Sequence, residues 1–225
     1  MIKLSFSING WKEYSWQDFT ELASEIGFKG IELHNAMESN LTQKDGPFHK
    51  YNSAATIRKL SDDGISIPCV DISKDISLET TEENAEYIKK YIDFAASIRV
   101  PYVRVYASGG DESSKQNVID CLSGVVSYAE EKKVTVLIET VGMFANTLEL
   151  RNVLMEFACD NLAALWDVYH TYCEQKEDTE TTITNLGAYI RHVHLKDSAE
   201  FDGEREYCLI GEGEIPVDIV INALS

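Results

Sequence analysis

Seven short β-rich runs recur along the chain at intervals of about 27 to 36 residues, and a stretch of helical periodicity follows each of them. The runs cover residues 3–8, 30–34, 66–73, 102–107, 134–140, 162–167 and 190–196. A strand that is followed each time by a helix indicates parallel βα units with right-handed crossovers. We therefore predict an α/β fold, a TIM (β/α)8-type barrel, with an open doubly wound sheet as the alternative.

The helical stretches carry recognisable ends. In residues 15–27 the apolar side chains fall on one face, and Gly27 follows as a helix stop. Residues 81–98 open with an acidic turn, and residues 113–133 close with two lysines, so both charge placements suit the helix dipole. No glycine-rich GxGxxG motif follows the first strand, which disfavours the dinucleotide-binding form of a doubly wound sheet.

The composition narrows the class of protein. A chain of 225 residues with 44% hydrophobic residues is long enough for a single domain with a full core. Its formal charge of −18 repels nucleic acid and acidic membrane surfaces, so we expect neither as a partner. Five cysteines without a CxxC pair favour reduced thiols, and no signal peptide or membrane span is evident. These features predict a cytoplasmic location.

Polar residues collect at the predicted carboxyl ends of the strands, which is where α/β barrels and doubly wound sheets bind their ligands. Buried carboxylates are costly unless they are paired or bind a metal ion, so several of them at one rim predict a divalent cation. The residues at these ends are Glu32, His34, Asp71, Arg104, Glu139, Asp167, His170, His192, His194, Lys196 and Asp197.

Glu139, Asp167 and His194 occupy equivalent places on three consecutive strands and are predicted to converge on one point. Two carboxylates with one imidazole suit Mn²⁺, Mg²⁺ or Co²⁺, while Zn²⁺ stays open. Structural alternatives exist for two of the three residues: Glu139 could pair with a barrel lysine or arginine, and Asp167 could cap the turn that follows. His192 has the same parity as His194, so only one of them need be a ligand.

Five motifs along the chain have a familiar order and spacing. They are "GFKGIELH" on the second strand, "IETVGMFANT" after the fifth, "WDVYHT" on the sixth, "HVHLKDS" on the seventh, and "IGEGEIP" in the loop beyond. Together they resemble the xylose isomerase-like TIM barrels, the sugar phosphate isomerase/epimerase superfamily. That superfamily also includes inosose dehydratases and apurinic-site endonucleases.

The resemblance implies roles for individual residues. Glu139 matches the family's metal-binding glutamate, which doubles as the catalytic acid/base, and Asp167 and His194 match its metal-binding aspartate and histidine. His170 matches a histidine that contacts the substrate. Further candidate contacts to the substrate are Lys196, Arg104 and Trp11, whereas Glu32, His34 and His192 are expected to support the site residues.

The implied function is a metal-dependent isomerase or epimerase that acts on a small carbohydrate or sugar phosphate through an enediolate intermediate. Two alternatives remain: a lyase similar to inosose dehydratase, and a catalytically inactive barrel that binds a sugar or a partner protein. An apurinic endonuclease is disfavoured, because the additional zinc-binding histidines of that branch are missing. The superfamily commonly forms homo-oligomers.

One element of the family pattern is missing from the sequence. In the family an eighth strand ends in a glutamate, which is the fourth metal ligand and commonly the second acid/base. The predicted helix at residues 216–225 is still running at the last residue, so this strand lies outside the sequence. We expect residues 1–225 to form one barrel domain that is incomplete at its C-terminus or is completed by another chain. Glu212 or Glu214 could substitute for the missing glutamate.

Overall fold

Seven parallel strands form one sheet in which each strand pairs with the next one along the chain. The computed structural model describes residues 2–11 and 13–225. Glu32 of the second strand contacts His192 of the seventh, so the sheet is curled into a half-barrel. The strands are β1 (Ser5–Ser7), β2 (Gly30–His34), β3 (Cys69–Asp75), β4 (Tyr102–Tyr106), β5 (Thr135–Glu139), β6 (Leu162–Asp167) and β7 (Ile190–His194).

Helices connect the strands and cover the sheet. They are α1 (Trp16–Ile26), α2 (Ser53–Asp62), α3 (Thr81–Ser97), α4 (Glu112–Ser123), α5 (Val126–Lys132), α6 (Thr147–Phe157), α7 (Thr179–Leu186) and α8 (Val217–Ala223). The predicted α/β barrel class is therefore confirmed, and the described residues contain seven of its strands. None of the helices in residues 2–11 and 13–225 combines the length and apolar character needed to span a membrane.

The ends of α1 show how local sequence sets an element. The Ser15 side chain accepts a hydrogen bond from the Asp18 backbone, and the Asp18 carboxylate accepts one from the Ser15 backbone. This reciprocal pair satisfies N–H groups that a helix leaves free at its start. At the other end Gly27 takes the left-handed conformation with φ of 86°, which only glycine adopts without strain.

Successive side chains of a strand point to opposite faces of the sheet, and this divides the core into two parts. One set of side chains faces the helices and builds the main hydrophobic core. The other set faces the barrel interior, where Cys69, Leu137, Ala163 and Leu165 form a small buried cluster with Tyr102 packed against it. Two residues further along these strands the interior side chains become charged, so a polar layer lies directly above an apolar one.

The structure corrects several predicted bounds. β3 begins at Cys69 instead of residue 66, and β7 ends at His194 instead of residue 196. The helix predicted over residues 113–133 is divided into α4 and α5 around Gly124. An antiparallel hairpin that the sequence reasoning missed, β8 (Asp197–Phe201) and β9 (Glu204–Cys208), follows β7 directly.

Candidate metal centre

The polar layer of the barrel lies at the carboxyl ends of β2 to β7. The strand register aligns its members, because His34 pairs with Asp71, Asp71 with Arg104, and Asp167 with His194. Four carboxylates in this layer are almost fully buried, with exposed fractions of 4% or less: Glu32, Asp71, Glu139 and Asp167. Carboxylates at this depth need compensating charge.

Glu139, Asp167 and His194 come together as predicted. Each offers one ligand atom, and these atoms lie within 4.8 Å of one another. His194 Nδ1 lies 2.8 Å from Glu139 Oε1. The three strand ends that were expected to converge therefore do so, and the arrangement gives two carboxylate oxygens and one imidazole nitrogen.

Two cations hold the carboxylates of this group. Arg104 donates one hydrogen bond to Glu139 and another to Asp71 Oδ1, the latter at 2.6 Å. Lys196 Nζ lies 2.9 Å from Asp167 Oδ2. The structural alternative considered for Glu139, a pairing with a barrel arginine, is thus present alongside its place in the ligand group.

A second group shares His194. The Glu32 carboxylate lies 2.8 Å from His192 Nε2 and 3.1 Å from His194 Nε2. Each of these three residues offers an atom within 4.8 Å of the others. The equal parity of His192 and His194 therefore places both rings against the same carboxylate, which belongs to β2.

These contacts shift the pKa values of the ligand groups. Burial opposes the charge on Glu139, but the hydrogen bond from His194 and the charge of Arg104 outweigh it and lower the pKa to about 2. Burial likewise opposes a charged His194, but the charge of Glu32 and the hydrogen bond to Glu139 raise its pKa to about 10. Without a metal ion, His194 is therefore protonated at neutral pH and serves as a counter-ion.

The residues present fit a divalent cation. Three of the four buried carboxylates, Asp71, Glu139 and Asp167, contact the permanently cationic side chains of Arg104 and Lys196, which leaves one negative charge among them. A divalent ion held by Glu139, Asp167 and His194 would compensate it. Binding of such an ion would also displace the proton of His194, because the ring must be neutral to act as a ligand.

The turn after β6 places His170 beside this group. Asp167 Oδ1 accepts hydrogen bonds from the backbone N–H groups of Tyr169 and His170 at 3.0 and 3.3 Å, so Asp167 does cap this turn. His170 Nε2 lies 3.3 Å from Lys196 Nζ, and His170 Nδ1 lies 2.7 Å from Glu174. Both His170 and Lys196 are partly exposed and border the ligand group.

The remaining predicted residues lie around the layer or away from it. His34 Nδ1 is 2.6 Å from Asp71, and so His34 supports the carboxylate that also holds Arg104. Trp11 is 43% exposed and stacks edge to face on Tyr14, at a centroid distance of 5.1 Å. Glu214, considered as a substitute ligand, instead pairs with Arg205 at 2.8 Å.

Three site residues were not assigned a role from the sequence. Asp71 bridges His34 and Arg104, and its alternation with Cys69 on β3 is a signal that could have revealed it. The rings of Tyr169 and Tyr207 lie 5.0 and 6.0 Å from Lys196 Nζ, as in a cation–π contact. Tyr207 belongs to the β8–β9 hairpin, so its placement depended on an element that had not been predicted.

The family model described as xylose isomerase-like TIM barrel matches residues 20–225 of this chain. The chain belongs to this family. The match begins within α1 and covers all the elements after it, including every candidate ligand. It bears out the resemblance that the five sequence motifs indicated. Among curated proteins, no sequence matches the chain.

Solved structures agree with this xylose isomerase-like assignment. The probable 3-DHS dehydratase AsbF from Bacillus anthracis superposes with a TM-score of 0.84 at 20% identity, over 99% of this chain and 89% of that one. The IolI protein with a bound zinc atom superposes with a TM-score of 0.77 at 17% identity, over 99% of this chain and 84% of that one. D-Allulose 3-epimerase from Methylomonas sp. in complex with D-allulose superposes with a TM-score of 0.72 at 16% identity, over 99% of this chain and 80% of that one. At these identities the likeness establishes the fold.

Proposed function

We propose that this chain is a divalent-metal-dependent isomerase or epimerase of a small carbohydrate or sugar phosphate, working through an enediolate. The observation that carries the proposal is the convergence of Glu139, Asp167 and His194 at the carboxyl end of the barrel. Support comes from the family and from relatives of the same fold, one of which binds zinc and another D-allulose. A bound ion would polarise the substrate carbonyl and stabilise the enediolate.

Glu139 is the proposed acid/base. A carboxylate with a pKa of about 2 in the metal-free protein is fully ionised at neutral pH, so it can accept a proton from the carbon next to the carbonyl. Arg104 fixes one of its oxygens, which leaves the other directed at His194. Returning the proton to the neighbouring carbon, while the hydroxyl proton passes to the former carbonyl oxygen, completes an aldose–ketose isomerisation with a single carbon base.

Epimerisation at one carbon needs a second proton donor on the opposite face of the enediolate. Lys196 and His170 lie on the Asp167 side of the ligand group and 3.3 Å from each other. We assign them to contacts with the substrate hydroxyl groups, with Trp11 as an aromatic contact at the rim and Arg104 as the residue that orients Glu139. Glu32, His192 and His34 support this arrangement by fixing His194 and Asp71.

Proton exchange tests the proposal directly. The wild-type chain, loaded with Mn²⁺, Mg²⁺, Co²⁺ or Zn²⁺, is incubated with a panel of ketoses and ketose phosphates in D₂O, and deuterium at the carbon next to the carbonyl is measured by NMR. We expect metal-dependent exchange, and we expect Glu139→Gln to slow it by about 10²- to 10⁴-fold because general acid/base catalysis is lost.

Glu149→Gln is the matched control, because Glu149 is a surface carboxylate paired with Lys115. It should exchange deuterium at the wild-type rate. Absence of exchange with every sugar and every ion would contradict the proposal and favour the inactive binding barrel.

A dehydratase is the second candidate, because AsbF gives the high TM-score of 0.84. In this reaction an enolate expels a β-hydroxyl group instead of regaining its proton. The same incubations distinguish the two reactions, since dehydration forms a conjugated enone with ultraviolet absorbance, whereas isomerisation and epimerisation form none. Appearance of the enone together with loss of the ketose would replace the isomerase with the lyase.

A further inference from the structure

We propose that Glu32, His192 and His194 form a second divalent-cation site, on the opposite side of the His194 ring from Glu139 and Asp167. Each of the three offers a ligand atom, and these atoms lie within 4.8 Å of one another. Two of the three residues, Glu32 and His192, have no ligand role in the proposed reaction. The site therefore goes beyond that reaction and can be tested separately from it.

The donor set is the first argument. One carboxylate with two imidazoles is a recurrent ligand set, used by catalytic zinc sites and by the facial triad of non-haem iron enzymes. Both imidazoles present Nε2 to the carboxylate, and all three residues lie on rigid strands, β2 and β7. Glu139 and Asp167 provide a harder, oxygen-rich set, so the two sites should prefer different ions.

The distances are the second argument. Ligand bonds of about 2.0–2.2 Å place donor atoms roughly 3 Å apart around one ion. The Glu32 carboxylate lies 2.8 Å from His192 Nε2 and 3.1 Å from His194 Nε2. These are also hydrogen-bond distances, so the same side chains can hold one another when no ion is bound and coordinate the ion without large movement.

The burial of Glu32 is the third argument. This carboxylate is 2% exposed, and within residues 2–11 and 13–225 it receives hydrogen bonds from no side chain except the two imidazoles. A buried carboxylate is costly without compensating charge. The imidazoles are 14% and 23% exposed, so both side chains are in contact with solvent from which an ion could bind.

Sharing of His194 has a structural consequence. Its Nδ1 faces Glu139 and its Nε2 faces Glu32, so two bound ions would be bridged by the one ring, which must then release both of its N–H protons and bind as an imidazolate. A chain that binds both would then carry two ions in different ligand fields, one of two carboxylates with an imidazole and one of a carboxylate with two imidazoles.

Metal stoichiometry tests the second site. The full chain is dialysed to equilibrium against Zn²⁺, and bound zinc per chain is measured by mass spectrometry, with circular dichroism as the check on folding. We expect two ions in the wild type, one in His192→Asn, one in Glu139→Gln, and two in the control His49→Asn. His49 belongs to neither group and stacks on Tyr51, at a centroid distance of 5.2 Å.

The outcomes separate this inference from the proposed function. If His192→Asn retains the wild-type stoichiometry while Glu139→Gln loses an ion, the second site is overturned and the first stands. If His192→Asn loses an ion and Glu139→Gln loses none, the second site stands and the metal ion of the proposed reaction is overturned. A Co²⁺ titration of the wild type, followed by visible absorbance, needs no variant: two successive spectral components support the second site, and a single component overturns it.

Discussion

His194 has an acidic neighbour on each ring nitrogen, Glu139 on Nδ1 and Glu32 on Nε2. These neighbours raise its pKa to about 10, so the ring carries a proton through the neutral range. A metal ion can bind only the neutral ring. Metal binding and proton release are therefore coupled at this residue.

We predict that the first divalent ion bound at pH 8 displaces about one proton from His194. Below a pKa of about 10 the fraction of neutral ring rises tenfold for each pH unit, and the apparent affinity for the ion should rise with it. Isothermal titration calorimetry in two buffers of different ionisation enthalpy measures the number of protons released.

Glu32→Gln removes the charge that raises this pKa most strongly. The variant should release fewer protons at pH 8 and show a weaker dependence of affinity on pH. Equal heats in both buffers for the wild-type chain would contradict the prediction.

The sequence predicted the candidate metal ligands better than the side chains that contact them. Glu139, Asp167 and His194 follow from strand parity, because the apolar runs before them define which side chains face the interior. The pairing of Arg104 with both Asp71 and Glu139 does not follow, since a cation among several acids has many candidate partners until the strand register is known.

At the scale of elements, the β8–β9 hairpin and the loop after it depend on Asp197. Its carboxylate is 1% exposed and accepts backbone N–H groups from Ser198, Gly211, Gly213 and Ile215 at 2.8–3.3 Å. Burial opposes the charge, but these hydrogen bonds outweigh it and lower the pKa of Asp197. One side chain thus fixes both the start of the hairpin and the loop that returns from it.

Asp197→Asn should lower the free energy of unfolding by about 2–4 kcal/mol at neutral pH, because an amide NH₂ replaces an acceptor oxygen in front of backbone donors. A lowered pKa means that the carboxylate stabilises the fold above its ordinary value near 4 and loses this effect as the pH falls through the lowered value. The difference between wild type and variant should shrink in that acidic range. Urea unfolding at several pH values measures it.

Asp202→Asn is the matched control for this substitution. Asp202 is exposed in the hairpin turn with φ of 50°, a conformation that asparagine also tolerates. It should unfold as the wild type does. A pH-independent difference between wild type and Asp197→Asn would count against a role for the charge.

The elements that were predicted and those that were missed differ in how clearly the sequence pattern marks them. The parallel strands β5 and β6 are nearly continuously apolar up to their terminal carboxylates and stand out clearly. The hairpin is mostly polar, and its strongest signal is the pair Asp202 and Gly203, which both have positive φ as two-residue hairpin turns require. The break between α4 and α5 falls at Gly124, where a Cβ would lie 3.2 Å from Ala85, so close packing against α3 favours glycine at this position.

At the scale of the whole molecule, the formal charge of −18 disfavours the compact state through self-repulsion. We predict that NaCl raises the unfolding temperature at pH 8, since exposed charges are screened beyond about 10 Å at 0.1 M salt. For a chain of this size, each increase of about 1 kcal/mol in the free energy of unfolding raises the unfolding temperature by about 2–4 °C. Calorimetry across a salt series measures the shift.

The same series near pH 4.6, the isoelectric point of the sequence, is the control. There the net charge is close to zero, so salt should change the unfolding temperature much less. A salt effect of equal size at both pH values would point to solvent exclusion instead of screened repulsion.

Arg104 pairs with Glu139, and Lys196 pairs with Asp167. These pairs bear on whether the chain folds before it binds a metal ion. Glu139 and Asp167 each have a cation of the chain's own as a partner, so neither needs a metal ion to balance its charge in the folded chain. We therefore expect the chain to fold without the ion, unlike a zinc finger, where the ion is needed for the fold. The ion that the candidate centre takes would then be decided after folding, by whichever divalent cation the surroundings supply.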